Sequence, residues 1–146
     1  MPNPQSMAEG AKRGTGIGLQ RKTLHLVPGI FTDDTSTGGT YTWSDAMPDG
    51  CFYAGLAVEV ITGFLEDTSC VLKAGKTDTE DEFTNGSTVN IFTGGVTVGS
   101  EGEDPMEWLG GDTTDVYVEI TSGSDITDVL AGDGEAYLYL YYFEVL

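Results

Sequence analysis

The feature that most constrains the fold is a series of short segments in which apolar residues recur at every second position. The clearest lies in residues 51–64, where Leu56, Val58 and Val60 alternate with other residues. A period of two places successive side chains on opposite faces of a β-strand. Glycine-rich or acidic turns separate the segments. Strand-like segments occupy residues 22–31, 41–43, 51–64, 69–74, 89–93, 115–121 and 136–145.

Seven or eight short strands at this spacing predict an all-β protein, either a jelly roll or a related two-sheet β-sandwich. Helix is expected only at residues 104–109. There Pro105 stands where a first turn would begin, and two glycines follow Leu109. That helix would be about one turn long.

The chain of 146 residues has the length of one domain. Residues 1–21 are rich in glycine, proline and polar residues and have no apolar period. We therefore divide the chain into an extended N-terminal arm, residues 1–21, and a single β-sandwich domain, residues 22–146.

Charge separates the arm from the domain. The chain has 24 acidic and 6 basic residues and a net charge of −18, yet Lys12, Arg13, Arg21 and Lys22 all lie in the first 22 residues. A strongly acidic domain repels nucleic acid and anionic membranes, so neither is an expected partner. The N-terminus has no apolar leader segment, and no stretch is apolar enough to span a membrane. We therefore expect a protein without classical secretion.

The sequence predicts no catalytic site, no metal site and no cofactor. His25 lies in a strand-like segment without a nucleophile that the sequence can assign to it. One histidine and two cysteines are too few for a zinc site. Carboxylates cluster at Asp33-Asp34 and in residues 78–82, but without the spacing of a calcium loop. Whether the acidic loops bind calcium, and whether Cys51 and Cys70 form a disulfide or are simply buried, stays open.

The aromatic last strand is the most informative segment for interactions. Strand alternation places Tyr137, Tyr139 and Tyr141 on one face, and a strand that is apolar on both faces must be covered on both. One cover is the core. The other is the second sheet, the arm or a neighbouring subunit, and tyrosine is enriched at interfaces. We predict that these three tyrosines form a subunit interface. The opposite face carries Leu138, Leu140 and Tyr142.

Residues 42–146 resemble a family of small β proteins from the virions of tailed bacteriophages. The resemblance begins with the turn Met47-Pro48-Asp49-Gly50 and the strand that follows, residues 55–62. It continues with residues 69–75, an acidic loop, and residues 126–132 before the aromatic last strand. Proteins of this family decorate or cement the capsid, usually as trimers.

The resemblance implies a non-enzymatic decoration protein on the capsid exterior of a virion, synthesised in the host cytoplasm, with the major capsid protein and copies of itself as partners. No catalytic residue is carried over. An alternative from another class is a trimeric fibre-tip or receptor-binding module, which usually follows a stalk; no heptad repeat precedes Leu24. We predict that the arm docks on the capsid through cations and two apolar residues: Lys12, Arg13, Ile17, Leu19, Arg21 and Lys22.

Overall fold

A computed structural model describes residues 17–34, 36–76 and 82–145, which form two antiparallel β-sheets. Short helices are few in these residues: two 3-10 turns, Pro28–Ile30 and Glu82–Thr84, and one α-helix, α1. The strands are β1 (Ile17–Leu26), β2 (Thr32–Asp33), β3 (Gly38–Met47), β4 (Cys51–Thr62), β5 (Cys70–Gly75), β6 (Val89–Asn90), β7 (Val96–Ser100), β8 (Trp108–Leu109), β9 (Thr114–Ser122) and β10 (Glu135–Val145), and α1 is Ile126–Leu130.

The strand order is that of a jelly roll. The first sheet has the order β1-β10-β4-β7, with β8 also paired to β4. The second sheet has the order β2-β3-β9-β5-β6. In the first sheet the first strand pairs with the last, and the connections repeatedly cross from one sheet to the other, as in the paired Greek keys of this fold. The predicted all-β, two-sheet sandwich is confirmed.

The core lies between the two sheets and is built by the alternation seen in the sequence. Val58 of β4, Leu138 and Leu140 of β10, and Val118 and Ile120 of β9 are fully buried. Their neighbours along each strand are more exposed, with Tyr137, Tyr139 and Tyr141 of β10 only partly buried. The alternation seen in the sequence thus separates the core side of each strand from its outer side.

The helix forms at a different place from the one predicted. α1 begins after Asp125, whose side chain accepts a hydrogen bond from the backbone N–H of Thr127. This N-cap satisfies a donor that the first helical turn would otherwise leave unpaired. Residues 104–109 instead form a turn with Met106 at φ 61° and continue into β8, which pairs with β4. The backbone of this segment is thus satisfied by strand pairing, which overrides its helix-like composition.

The first strand begins earlier than the boundary drawn from composition. Residues 17–21, which the sequence analysis assigned to the arm, belong to β1 and pair with residues 141–145 of β10. Pairing with β10 satisfies backbone groups that a glycine-rich segment cannot satisfy alone. Residues 1–16, including Lys12 and Arg13, lie outside the described residues.

Candidate interaction face on the first sheet

The outer face of the first sheet, turned away from the core, carries the predicted tyrosines. Directly paired residues in an antiparallel ladder lie on the same face. The register places Tyr137 between His25 and Glu59, and Tyr139 between Thr23 and Ala57. Tyr137, Tyr139 and Tyr141 are thus brought together as predicted, in the middle of the sheet.

Tyr139 contacts other side chains of the same face. The Tyr139 hydroxyl donates a hydrogen bond to Oε1 of Glu59 at 2.9 Å, and this bond is the main reason that the pKa of Tyr139 is raised above its ordinary value. The guanidinium carbon of Arg21 lies 4.8 Å from the centre of the Tyr139 ring, a cation–π geometry. Tyr139 is therefore fixed by its own sheet.

Neighbouring Tyr137 is fixed in a similar way. Its ring stacks on the imidazole of His25, with a centroid distance of 4.9 Å. Nε2 of His25 lies 2.9 Å from Oε2 of Glu135. His25 thus has a carboxylate and a ring as neighbours, which gives it a structural role in ordering this end of the face.

A row of apolar side chains crosses the strands nearer the other end of the sheet. Leu19 of β1 pairs with Phe143 of β10, Phe143 pairs with Phe52 of β4, and Phe52 pairs with Trp108 of β8. We call these four residues the transverse row. Leu19 is 58% exposed and Trp108 is 51% exposed. The row is therefore continuous across four strands and open to solvent at both ends.

Trp108 is held in place although half of it is exposed. Its ring lies 4.8 Å from the ring of Phe52, tilted by 55°. The position of Gly110 brings its backbone so close to the indole that an added Cβ would collide with Nε1 of Trp108. A Cβ on Gly50, which has φ +80°, would also contact the indole, at 3.6 Å. The indole is thus packed against a turn on one side and a phenylalanine on another.

The outer face of the second sheet is different in character. The register places Thr40 opposite Glu119, and Glu119 opposite Lys73. Nζ of Lys73 lies 3.4 Å from Oε1 of Glu119. Thr42 and Tyr117 form the neighbouring pair on this face. A sheet with one solvated face normally carries polar residues there, so the second sheet has an ordinary solvent face and the first does not.

Some predicted residues lie elsewhere. Lys22 is on the inner side of β1, with Nζ 3.4 Å from the backbone carbonyl oxygen of Asp45. Ile17 is the first residue of β1 and pairs with Val145. Leu19 and Arg21 lie on the outer face beside the aromatic residues of β10.

Sequence reasoning missed Phe52, Trp108 and Phe143. Phe143 could have been found, because it continues the alternation of the tyrosines by one step. Phe52 and Trp108 could not, since only the pairing of β8 with β4 brings them to this face.

Other groups that could bind a metal ion or react lie away from this face or outside the described residues. Within residues 17–34, 36–76 and 82–145, no cluster of three or more His, Cys, Asp or Glu residues is arranged to hold a metal ion. Asp78, Glu80 and Asp81 lie outside that part of the chain. Cys51 and Cys70 are buried free thiols, and burial raises the pKa of Cys70 to about 12. In the same described segments, no helix has the length and apolarity required to cross a membrane.

Comparison with known proteins gives one informative result. No protein-family model matches the sequence, and no curated protein matches it significantly. Among solved structures, the fold is similar to a chain in the structure of the cyanophage Pam1 capsid asymmetric unit, with a TM-score of 0.59 and 14% sequence identity. The match covers 90% of this chain and 89% of that chain. At this identity the comparison shows a shared fold over nearly the whole length of both chains.

Proposed function

We propose that this chain is a non-enzymatic structural protein of a bacteriophage virion that binds the outer surface of the capsid and stabilises it. The observation that carries the proposal is a jelly roll with one unusually aromatic outer face, similar in fold to a chain from a phage capsid over 90% of its length. The partners would be the major capsid protein and further copies of this chain, assembled as a homotrimer. The protein would act from the capsid exterior.

The distribution of charge suggests that the N-terminal residues and the domain have different roles in binding. The domain carries nearly all of the acidic residues, whereas residues 1–16 include the cations Lys12 and Arg13. Exposed ion pairs contribute only about 0.2–1 kcal/mol each, so two cations alone cannot anchor a subunit. A stable attachment would need additional backbone pairing or apolar burial. Residues 1–16 and β1 would then contribute jointly, because β1 begins directly after them, at Ile17.

The test is to compare two N-terminal deletions in decoration of capsids that lack this protein. Removal of residues 1–16 leaves β1 intact, so the shortened protein should unfold at the wild-type temperature but lose most of its capsid binding. Removal of residues 1–21 also takes away the partners of residues 141–145, so it should lower the unfolding temperature as well. A matched variant, K12Q/R13Q, should weaken binding and reduce its dependence on salt.

One outcome would contradict the role of the arm, and another would contradict the capsid-binding role. If the protein without residues 1–16 still decorates capsids with wild-type affinity, the arm is not the anchor. If purified virions contain this chain at a copy number far below that of the major capsid protein, a fibre-tip or receptor-binding module becomes the better interpretation. Copy number is measured by quantitative staining of virion proteins after electrophoresis.

A further inference from the structure

The outer face of the first sheet is aromatic and apolar, whereas that of the second sheet is polar, so the first is the better candidate for contact with another molecule. An antiparallel sheet can leave one face in water, and the second sheet does so with threonine and a lysine–glutamate pair. The first sheet instead presents tyrosines and the transverse row, Leu19, Phe143, Phe52 and Trp108. We propose that this face is where copies of the chain meet, and that the transverse row contributes most of the contact energy. The inference rests on the proposed function only for its expectation of a self-assembling subunit.

Exposure distinguishes the two ends of the transverse row, Leu19 and Trp108, from the central tyrosines. Leu19 and Trp108 each keep more than half of their surface exposed, whereas the tyrosines are partly buried. Val145, one alternation step beyond Phe143, is 52% exposed. Association can remove from water only the surface that the single subunit leaves exposed. The larger apolar gain is therefore available at the ends of the row rather than at the tyrosines.

Charge favours a second copy as the occupant. The charged groups that the register and contacts place on this face include Arg21, His25, Glu59 and Glu135. Arg21 lies over the ring of Tyr139, and Glu59 accepts a hydrogen bond from the Tyr139 hydroxyl. His25 contacts Glu135. With His25 counted as neutral, these groups sum to −1, on a chain whose net charge is −18 on the same convention. Two chains with this net charge repel each other in most relative orientations. Contact through this nearly neutral face has the lowest electrostatic cost.

The size of the face agrees with a subunit interface. β10 has 11 residues, and a rise of about 3.4 Å per residue gives it a length of roughly 37 Å. Four strands spaced by about 4.8 Å give a width of roughly 19 Å. The projected area is then on the order of 700 Å², close to the roughly 800 Å² per partner of a standard stable interface. The face is large enough to support association without help from other surfaces.

Trp108 has the properties of an interface anchor. Tryptophan is enriched among the few residues that carry most of the binding energy at interfaces. Its indole is already fixed by Phe52 and by the turn at Gly50 and Gly110. A side chain that is held before binding loses little further conformational freedom when it is covered. Trp108 thus combines a large exposed apolar area with a low ordering cost.

The test is sedimentation equilibrium of the full-length protein, without capsids, over a range of concentrations. The wild type should associate at micromolar concentration, and W108S should raise the dissociation constant by about tenfold or more. Leu19→Glu, which adds a charge at an exposed position, should have a similar effect. Tyr117→Ser is the matched control, since Tyr117 is a partly buried tyrosine on the outer face of the second sheet, and it should leave association within about twofold of wild type. Thermal unfolding verifies that each variant folds.

Three results would overturn the inference: a wild type that stays monomeric at every concentration, a folded W108S and L19E that both associate as tightly as wild type, or a Y117S that weakens association as much as W108S. Capsid decoration is measured separately. A protein that decorates capsids as a monomer would refute this inference and the homotrimer, and would leave the capsid-binding role standing. A protein that associates through the row but never binds capsids would refute the capsid-binding role and leave this inference standing.

Discussion

Leu140 and Tyr141 are adjacent in β10 but face opposite sides of the first sheet, so truncating each to alanine tests the assignment of the two faces. Leu140 is fully buried. Leu→Ala changes in a core lower the free energy of unfolding by about 2–5 kcal/mol, because the lost apolar contacts are combined with the cost of a cavity. For a domain near 150 residues, each kcal/mol lowers the melting temperature by roughly 2–4 °C. Leu140→Ala should therefore melt about 4–20 °C below wild type.

Tyr141→Ala should have a smaller effect on the isolated subunit. Full burial of a large apolar side chain contributes about 1.5–3 kcal/mol, and Tyr141 is only partly buried. Truncation should therefore cost on the order of 1 kcal/mol in a monomer. The assay is urea unfolding followed by tryptophan fluorescence, at protein concentrations low enough to keep the chain monomeric. The two variants should differ in midpoint but not in the slope of unfolding free energy against urea.

The result that refutes the reasoning is a Tyr141→Ala variant that loses as much stability as Leu140→Ala, or more. Because strand side chains alternate, a slip of the register by one residue would exchange the core and solvent faces of β10. The tyrosines would then be the core residues. Such a result would also remove the basis for an aromatic interaction face.

Two further predictions concern ionisable groups away from this face. Hydrogen bonds from the hydroxyl and backbone of Ser124 and from the backbone of Asp125 hold the pKa of Asp67 well below its ordinary value of 3.8. The stability that they give is present above that value and is lost as the pH falls below it, so Asp67→Asn should lower the melting temperature at pH 7 and flatten its fall in acid. The thiols of Cys51 and Cys70 have raised pKa values because they are buried, so in the native protein at pH 8 they should resist a thiol reagent that labels both after unfolding. Rapid labelling before unfolding, or a pH dependence unchanged in the Asp67 variant, would contradict the respective prediction.

Much of the fold could be predicted because local alternation directly reports which face of a strand is buried. The terminal strand was placed within one residue, and its alternation separates the buried Leu138, Leu140 and Tyr142 from the other three tyrosines. β3 was expected only at residues 41–43 but extends over Gly38–Met47. A mixture of glycine, threonine and serine has little apolar period, and this strand exists because β9 pairs with it. The start of β1 was misplaced for the same reason, since its glycine-containing beginning is set by β10.

The sequence by itself determined the all-β class, the acidic domain and the outward position of Tyr137, Tyr139 and Tyr141. Each of these depends on composition or on the alternation of neighbouring residues, and both can be read directly from the sequence. Only the tertiary structure decided that Leu19, Phe143, Phe52 and Trp108 form one row. The four residues belong to four strands separated by long stretches of chain, and strand pairing is a long-range choice set by the packing of the whole core. The candidate site is a property of that pairing, which is why no motif in the sequence marks it.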